Sequence, residues 1–121
     1  MKFLMVFLGG GIGAMTRYGV SLYFENHGDS FPWSTFIANI VASLILGILI
    51  GLNLKNGFSQ NTNLLLMTGF CGGFSTFSTF SAESLELLKL GNISTALVYI
   101  LASLVVGILV VFLGIKIASF S

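Results

Sequence analysis

The residues best suited to chemistry lie in one polar stretch, CGGFSTFSTFS at residues 71–81, inside a strongly apolar sequence. In a membrane, polar side chains and irregular backbone persist only where they are buried in protein or line water. The glycine pair Gly72-Gly73 predicts a break in the helix, and carbonyls freed by such a break are ligands for a small cation. The alternative is a kinked helix that holds ordered water. Ion binding by the backbone is therefore the first chemistry that this stretch indicates.

The second half of the same stretch carries aromatic rings. Phe77 and Phe80 are three residues apart, so they are predicted to share a helix face, with Ser78 and Thr79 completing the turn. A phenyl ring has a positive edge, so a ring presented edge-on attracts an anion without carrying a charge. Such a weak attraction allows the ion to leave as well as to enter. Ordinary core packing is the other interpretation of these two phenylalanines.

Two further segments carry small and polar residues at intervals of four, which places them on one slowly turning helix face, here called a polar seam. The members are Thr35, Asn39, Ser43, Gly47 and Gly51 in the first seam, and Thr95, Tyr99, Ser103 and Gly107 in the second. Burying the Asn39 amide unpaired would cost roughly 2–7 kcal/mol, so it is predicted either to bond another helix or to face an ion. The second seam is weaker support, because hydroxyls in membrane helices often bond their own backbone.

Few charged side chains fall in or near the apolar segments. Arg17 follows Gly13 by four residues, and Gly13 follows Gly9 by four, so the three are predicted to lie on one closely packed face. Arg17 is expected either to draw anions into a vestibule or to extend to the lipid headgroups. Glu83 and Glu86 are predicted to lie at the membrane interface. None of these residues forms a pattern typical of an enzyme active site.

The composition as a whole is that of a membrane protein. Of the 121 residues, 55% are hydrophobic and only 7% are charged, whereas about a quarter are charged in soluble domains. A membrane-crossing helix needs roughly 20 mostly apolar residues. The chain is therefore predicted to be a single all-α transmembrane domain, residues 1–121, with spans at about 3–24, 32–54, 64–89 and 93–118. The single cysteine, Cys71, excludes an intrachain disulfide.

The basic residues bear on partners and orientation. They are scattered singly along the sequence, which excludes a nucleic-acid surface. With four spans, Lys2, Lys55 and Lys116 would lie on one side of the membrane and Lys89 on the other, and Arg17 reduces this small bias further. Insertion in both orientations is therefore physically plausible. His27, in the polar loop after the first span, is predicted to be solvated.

Four segments together resemble the Fluc family of fluoride channels, also called CrcB. They are GGGIGAMTRY, STFIANIVAS, GFCGGFSTFSTFSAE, and Tyr99 with Ser103 in the last span. The resemblance covers essentially the whole chain and implies an antiparallel, dual-topology homodimer in the cell inner or plasma membrane, with two pores and a broken third helix. It also implies a structural sodium ion at the dimer centre, held by the carbonyls of Gly72 and Ser75 from each subunit.

The resemblance assigns further roles residue by residue. The pore phenylalanines fall on Phe77 and Phe80, the pore asparagine falls on Asn39, and the first-span arginine falls on Arg17. Hydroxyl groups of the fluoride pathway fall on Tyr99 and Ser103. Beyond the resemblance, the polar residues Thr35, Ser78 and Thr79 are predicted to belong to the same pathway. Two departures are visible: Ser75-Thr76 stands where many members have Thr-Thr, and Gly107 where some have serine.

The predicted function is passive export of fluoride, which relieves fluoride toxicity and needs no enzymatic step. A small proton-coupled multidrug exporter is the alternative, since it has the same length and span number. Such an exporter needs a carboxylate inside the first span, and Glu25 follows that span. A noncatalytic assembly subunit would explain the glycine spacing but leaves the polar stretch without a purpose.

Overall fold

The computed structural model describes residues 1–24 and 30–120, and the chain is helical over most of these ranges, with no strand in them. The elements in chain order are α1 (Lys2–Phe24), α2 (Trp33–Asn56), α3 (Gln60–Asn63), a π-helical segment (Leu64–Cys71), α4 (Gly72–Phe74), α5 (Phe77–Lys89) and α6 (Ile93–Phe120). The predicted polar loop with Glu25 and His27 lies outside the described residues.

Three helices, α1, α2 and α6, are long and apolar enough to cross a membrane. Large apolar side chains cover their outer faces; Phe7 of α1 is 73% exposed and Ile108 of α6 is 71% exposed. Continuous apolar surfaces of this kind are typical of contact with lipid rather than water. The chain is therefore an all-helical membrane protein. The region predicted as the third span consists of two helical pieces, 60–74 and 77–89.

Close helix packing depends on glycines, as the spacing of Gly9 and Gly13 predicted for α1. A Cβ added at Gly9 or Gly13 of α1 would collide with backbone atoms of residues 65–74. A Cβ added at Gly47 of α2 would collide in the same way with the Val111 backbone of α6, and Gly114 of α6 lies against the α2 backbone. Small residues allow this approach where apolar burial cannot drive helices together. The fold thus contains two closely packed pairs, α1 with the residues before the break and α2 with α6.

Local sequence sets the helix ends. The Ser59 hydroxyl accepts a hydrogen bond from the Thr62 N–H at 3.2 Å and caps α3. After α2, Gly57 adopts a positive φ of 71°, and its N–H donates to the Asn53 carbonyl at 2.8 Å. After α5, Gly91 has φ 83°, which glycine adopts without steric cost. These turns return the chain to the bundle after short connections.

Candidate ion pathway at the helix break

The backbone leaves the helical conformation at Ser75 and Thr76, two residues after the glycine pair. Ser75 has φ −80° and ψ 158°, and Thr76 has φ −151° and ψ 115°, so both are extended. Gly72 is helical, with φ −64° and ψ −36°. The prediction of a break inside the stretch is confirmed, but its placement at the glycine pair was wrong. Gly73 is instead needed for packing, because a Cβ there would meet the backbone of Gly10 in α1.

Side chains from two other helices bond the main chain of the break. The Thr76 N–H donates to Asn39 Oδ1 at 2.8 Å, and Asn39 Nδ2 donates to the Thr76 carbonyl at 3.3 Å. Arg17 Nε donates to the Gly73 carbonyl at 3.2 Å. The Thr79 N–H donates to the Thr76 hydroxyl at 3.2 Å, which caps the first turn of α5.

These bonds withdraw the helical donors from two carbonyls. In an unbroken helix the Thr76 N–H would bond the Gly72 carbonyl, and the Thr79 N–H would bond the Ser75 carbonyl. The first N–H bonds Asn39 and the second bonds the Thr76 hydroxyl. Neutral carbonyl oxygens in irregular membrane backbone are typical ligands of a small hard cation. Within residues 1–24 and 30–120 no cluster of three or more His, Cys, Asp or Glu could hold a metal ion.

A cavity of about 240 Å³ opens beside the break. Its walls come from α2, from the break, from the start of α5 and from α6, and the lining residues are Asn39, Ser43, Ser75, Thr76, Phe77, Phe80, Ser103 and Leu104. The Ser103 Oγ is buried and has no hydrogen-bond partner among the described residues. A buried hydroxyl without a partner is costly, which makes it available to a ligand. The cavity brings together four residues predicted for the fluoride pathway, Asn39, Phe77, Phe80 and Ser103, with Ser75, which was predicted as a sodium ligand.

The two phenylalanines form the aromatic wall of this cavity. Their ring centroids are 6.0 Å apart, and the ring planes are tilted by 44°. The Phe77 side chain is 78% exposed, whereas Phe80 packs on Tyr99 with ring centroids 5.0 Å apart. Ser78, on the same turn, is exposed, and its hydroxyl lies 3.3 Å from that of Thr76.

A second cavity, of about 130 Å³, shares Thr76 with the first. Each of its lining residues carries a polar group: Arg17, Tyr18, Ser21, Ser34, Thr35, Thr76 and Thr79. Three predicted site residues, Arg17, Thr35 and Thr79, therefore meet here rather than in the larger cavity. The structure gives Arg17 a bond that sequence reasoning did not anticipate, since its Nε is held by a backbone carbonyl.

Tyr99 connects the aromatic wall to an acidic residue. Its side chain is fully buried, and its hydroxyl donates to Glu83 Oε1 at 3.1 Å. Sequence reasoning treated Glu83 as interfacial and missed this contact. The sequence could have indicated that Glu83 faces the protein, because Phe80, Glu83 and Leu87 recur at helical spacing and lie on one face of α5. Ser43 was recognised as part of a polar seam but not as a lining residue of the cavity.

The fold and the break together define a helical membrane protein with small cavities at a discontinuous helix. The sequence model of the family described as "CrcB-like protein, Camphor Resistance (CrcB)" matches residues 4–115. The chain therefore belongs to the CrcB family.

Curated relatives match along nearly their whole length. The chain is 42% identical over 115 residues to the "Fluoride-specific ion channel FluC" of Azobacteroides pseudotrichonymphae genomovar. CFP2, covering 93% of this chain and 92% of the relative. It is 45% identical over 114 residues to "Fluoride-specific ion channel FluC 2" of Bacillus cereus strain ATCC 14579, covering 93% of each. It is 39% identical over 114 residues to the FluC of Thermus thermophilus strain ATCC BAA-163, covering 93% of this chain and 90% of the relative.

Proposed function

We propose that this protein is a fluoride-selective ion channel that carries fluoride passively out of the cell and so relieves fluoride toxicity. The observation that carries the proposal is the cavity of about 240 Å³ at the break, where Asn39, Ser103, Phe77 and Phe80 meet. The relatives named as fluoride-specific ion channels support the same ion. A channel needs no covalent chemistry, so the protein is not an enzyme.

The lining of the cavity suits an anion that must both enter and leave. All of its lining residues are neutral. The unpaired Ser103 hydroxyl and the second Nδ2 hydrogen of Asn39 can replace part of the hydration shell, and the edges of Phe77 and Phe80 add weak attraction. A cation in this cavity would hold the anion too firmly for rapid release.

The remaining polar residues extend the pathway on either side of the cavity. Thr35 and Thr79 line the second cavity, and Ser78 adds an exposed hydroxyl beside Thr76. The ring of Tyr99 packs against the ring of Phe80 and so fixes its position. Arg17 would raise the local concentration of anions in the vestibule at the mouth of the second cavity. Fluoride would pass these groups in sequence while keeping some of its water.

We also propose a structural sodium ion at the break. Its ligands would be the carbonyls of Gly72 and Ser75, because the helical donors to both are engaged elsewhere. When bound, the ion would supply a fixed positive charge that offsets the carbonyl dipoles. Its role would be to hold the backbone, not to take part in transport.

The working unit that we propose is an antiparallel, dual-topology homodimer in the cell inner or plasma membrane. Each subunit would cross four times, with the two pieces 60–74 and 77–89 forming the third span. Support comes from the exposed polar surface at the break, which includes Gly72, Ser78 and Ser81 and would face lipid in a single copy. A second copy would cover this surface and complete the sodium site.

The multidrug exporter has no comparable support. Residues 2–24 of α1 contain no carboxylate, and the relatives reported above are named as channels. Proton-coupled drug uptake by vesicles that contain the protein would be the observation that favours it.

Purified protein in liposomes tests the proposal. We expect a fluoride electrode to record rapid efflux that chloride does not match, and replacement of sodium by a large organic cation to lower the rate. Equal fluoride and chloride rates would contradict a fluoride-selective channel. An unchanged fluoride rate without sodium would contradict the sodium site alone.

A further inference from the structure

Two side chains from other helices take the place of main-chain hydrogen bonds at the break. Asn39 of α2 bonds both backbone groups of Thr76, and Arg17 of α1 bonds the Gly73 carbonyl. In an unbroken helix the Thr76 N–H would bond the Gly72 carbonyl, and the Gly73 carbonyl would accept from the N–H of Phe77. A break inside a membrane persists only if such groups find other partners.

The conformation of Thr76 matches the chemistry of an asparagine side chain. With φ −151° and ψ 115°, Thr76 is extended, so its N–H and carbonyl point to the same side, as in a hydrogen-bonded pair of antiparallel strands. A primary amide carries an acceptor and a donor side by side. Asn39 therefore bonds Thr76 as a neighbouring strand would. Alanine has neither group, and an ionised carboxylate has no donor for the Thr76 carbonyl.

Arg17 acts on the backbone between the two carbonyls released by the break. The Gly73 carbonyl is occupied by Arg17 Nε at 3.2 Å, while the carbonyls of Gly72 and Ser75 have lost their helical donors. Arg17 lies on the face of α1 that packs against this segment, one turn after Gly13. Its bond thus fixes the orientation of the peptide group between the two released carbonyls.

We propose that Asn39 and Arg17 are positioning residues that hold the break in the conformation that presents the Gly72 and Ser75 carbonyls to a cation. The claim that Asn39 and Arg17 hold the break does not depend on an ion. The claim that they thereby support cation binding rests on the sodium site of the proposed function. Asn39 has two tasks in this account. It fixes Thr76 with its acceptor and one Nδ2 hydrogen, and it offers the other hydrogen to the cavity that it lines.

Amide hydrogen exchange at Thr76 tests the holding of the break, with Asn53→Ala as a matched control for Asn39→Ala. Asn53 lies on the same helix, and its Oδ1 accepts from the Phe58 N–H at 2.8 Å, the distance that joins Asn39 Oδ1 to the Thr76 N–H. We expect exchange at Thr76 to rise about tenfold in Asn39→Ala and to stay at the wild-type rate in Asn53→Ala. Unchanged exchange at Thr76 in Asn39→Ala would overturn the proposal.

The sodium dependence of fluoride efflux tests the link to the cation. Arg17→Lys keeps the positive charge but loses the planar Nε donor. We expect the sodium concentration for half-maximal efflux to rise roughly tenfold in Arg17→Lys and in Asn39→Ala, as when a metal ligand loses its supporting bond, and to be unchanged in Asn53→Ala. A merely structural role would lower the amount of active protein without moving that concentration.

The outcomes separate this inference from the proposed function. Raised exchange at Thr76 with an unmoved sodium response in both variants would overturn the positioning claim. A wild-type efflux that is indifferent to sodium would count against the sodium site, and the exchange comparison would then decide whether Asn39 holds the break.

Discussion

The two sides of the helix break are held by different kinds of contact. Before the break, residues 64–74 lie against α1 through backbone, with Gly9 and Gly13 on one side and Gly69 and Gly73 on the other. After the break, α5 is held by side chains, chiefly Phe80 against Tyr99 and the bond from Tyr99 to Glu83. The packing of residues 64–74 depends on glycines, which have no side chain, whereas the packing of α5 depends on which side chains are present.

This difference separates two tasks that adjoin in sequence. In the proposed sodium site, residues before Thr76 would contribute carbonyl oxygens, which most side-chain changes leave in place. After the break, α5 contributes the rings of Phe77 and Phe80 to the cavity wall, and a ring is lost when its side chain is replaced. Substitutions on the two sides should therefore fail in different ways, the first by disrupting assembly and the second by stopping flux in a folded protein.

The largest effect is expected where backbone meets backbone. In Gly13→Ala the new Cβ would collide with the Phe70 carbonyl and come within 2.7 Å of the Phe74 nitrogen, so the helices must separate. We expect a loss of about 3 kcal/mol or more in the free energy of unfolding, the upper end for overpacking. Gly11→Ala on the same helix is the control, because no atom lies within 4 Å of the new Cβ. Thermal unfolding in detergent measures both, and equal melting temperatures would refute the packing argument.

The next effect is expected at the aromatic wall. Phe80→Ile removes the ring edge from the cavity, and we expect fluoride efflux from liposomes to fall by about tenfold or more, because an aromatic contact is worth about 1 kcal/mol and several are lost together. Phe7→Ile is the control, since Phe7 is 73% exposed on α1 and lies outside both cavities. Wild-type efflux through the Phe80→Ile protein would count heavily against the pathway.

A smaller effect is expected at the unpaired hydroxyl. Ser103→Ala removes a donor that has no partner among the described residues, so flux should fall roughly threefold to tenfold while stability stays the same or rises. Ser119→Ala, near the end of the same helix, removes a hydroxyl that bonds the Lys116 carbonyl, and it should leave flux unchanged. A loss of stability without a loss of flux in Ser103→Ala would assign this hydroxyl to packing.

The smallest effect is expected at the side chain of a carbonyl donor. Ser75→Ala keeps the backbone oxygen and loses only the bond from the Ser75 hydroxyl to the Cys71 carbonyl, 2.9 Å long. Such hydroxyls bond their own helix and contribute little to stability. Fluoride efflux should stay within about twofold of wild type, and a response to sodium that shifts in Ser75→Ala would show that the hydroxyl itself is a ligand.

Periodic features of the sequence predicted the helices well. The long apolar helices and the contacts at Gly9, Gly13 and Gly47 follow from helical spacing, because apolar length and small residues act through local geometry that a sequence displays. That Asn39 and Ser103 line one cavity was predictable in the same way. Each lies on the polar face of its own helix.

The sequence did not predict the exact position of the break or the hydrogen bonds that other helices make to it. The glycine pair suggested the position of the break. In the structure, however, Gly73 packs against α1, and the break lies at Thr76, which Asn39 bonds. Likewise, the spacing that put Arg17 on the packed face of α1 does not show that its Nε reaches the Gly73 carbonyl. These contacts join residues 37 and 56 positions apart, and no local pattern encodes them.

The most direct test of the division at the break is one comparison of fluoride efflux from liposomes that contain equal amounts of Ser75→Ala, Phe77→Ile or Phe80→Ile protein. The predicted result is efflux near the wild-type rate for Ser75→Ala and a loss of about tenfold or more for each phenylalanine variant. Similar efflux through all three proteins would contradict the claim that backbone serves one side of the break and side chains serve the other.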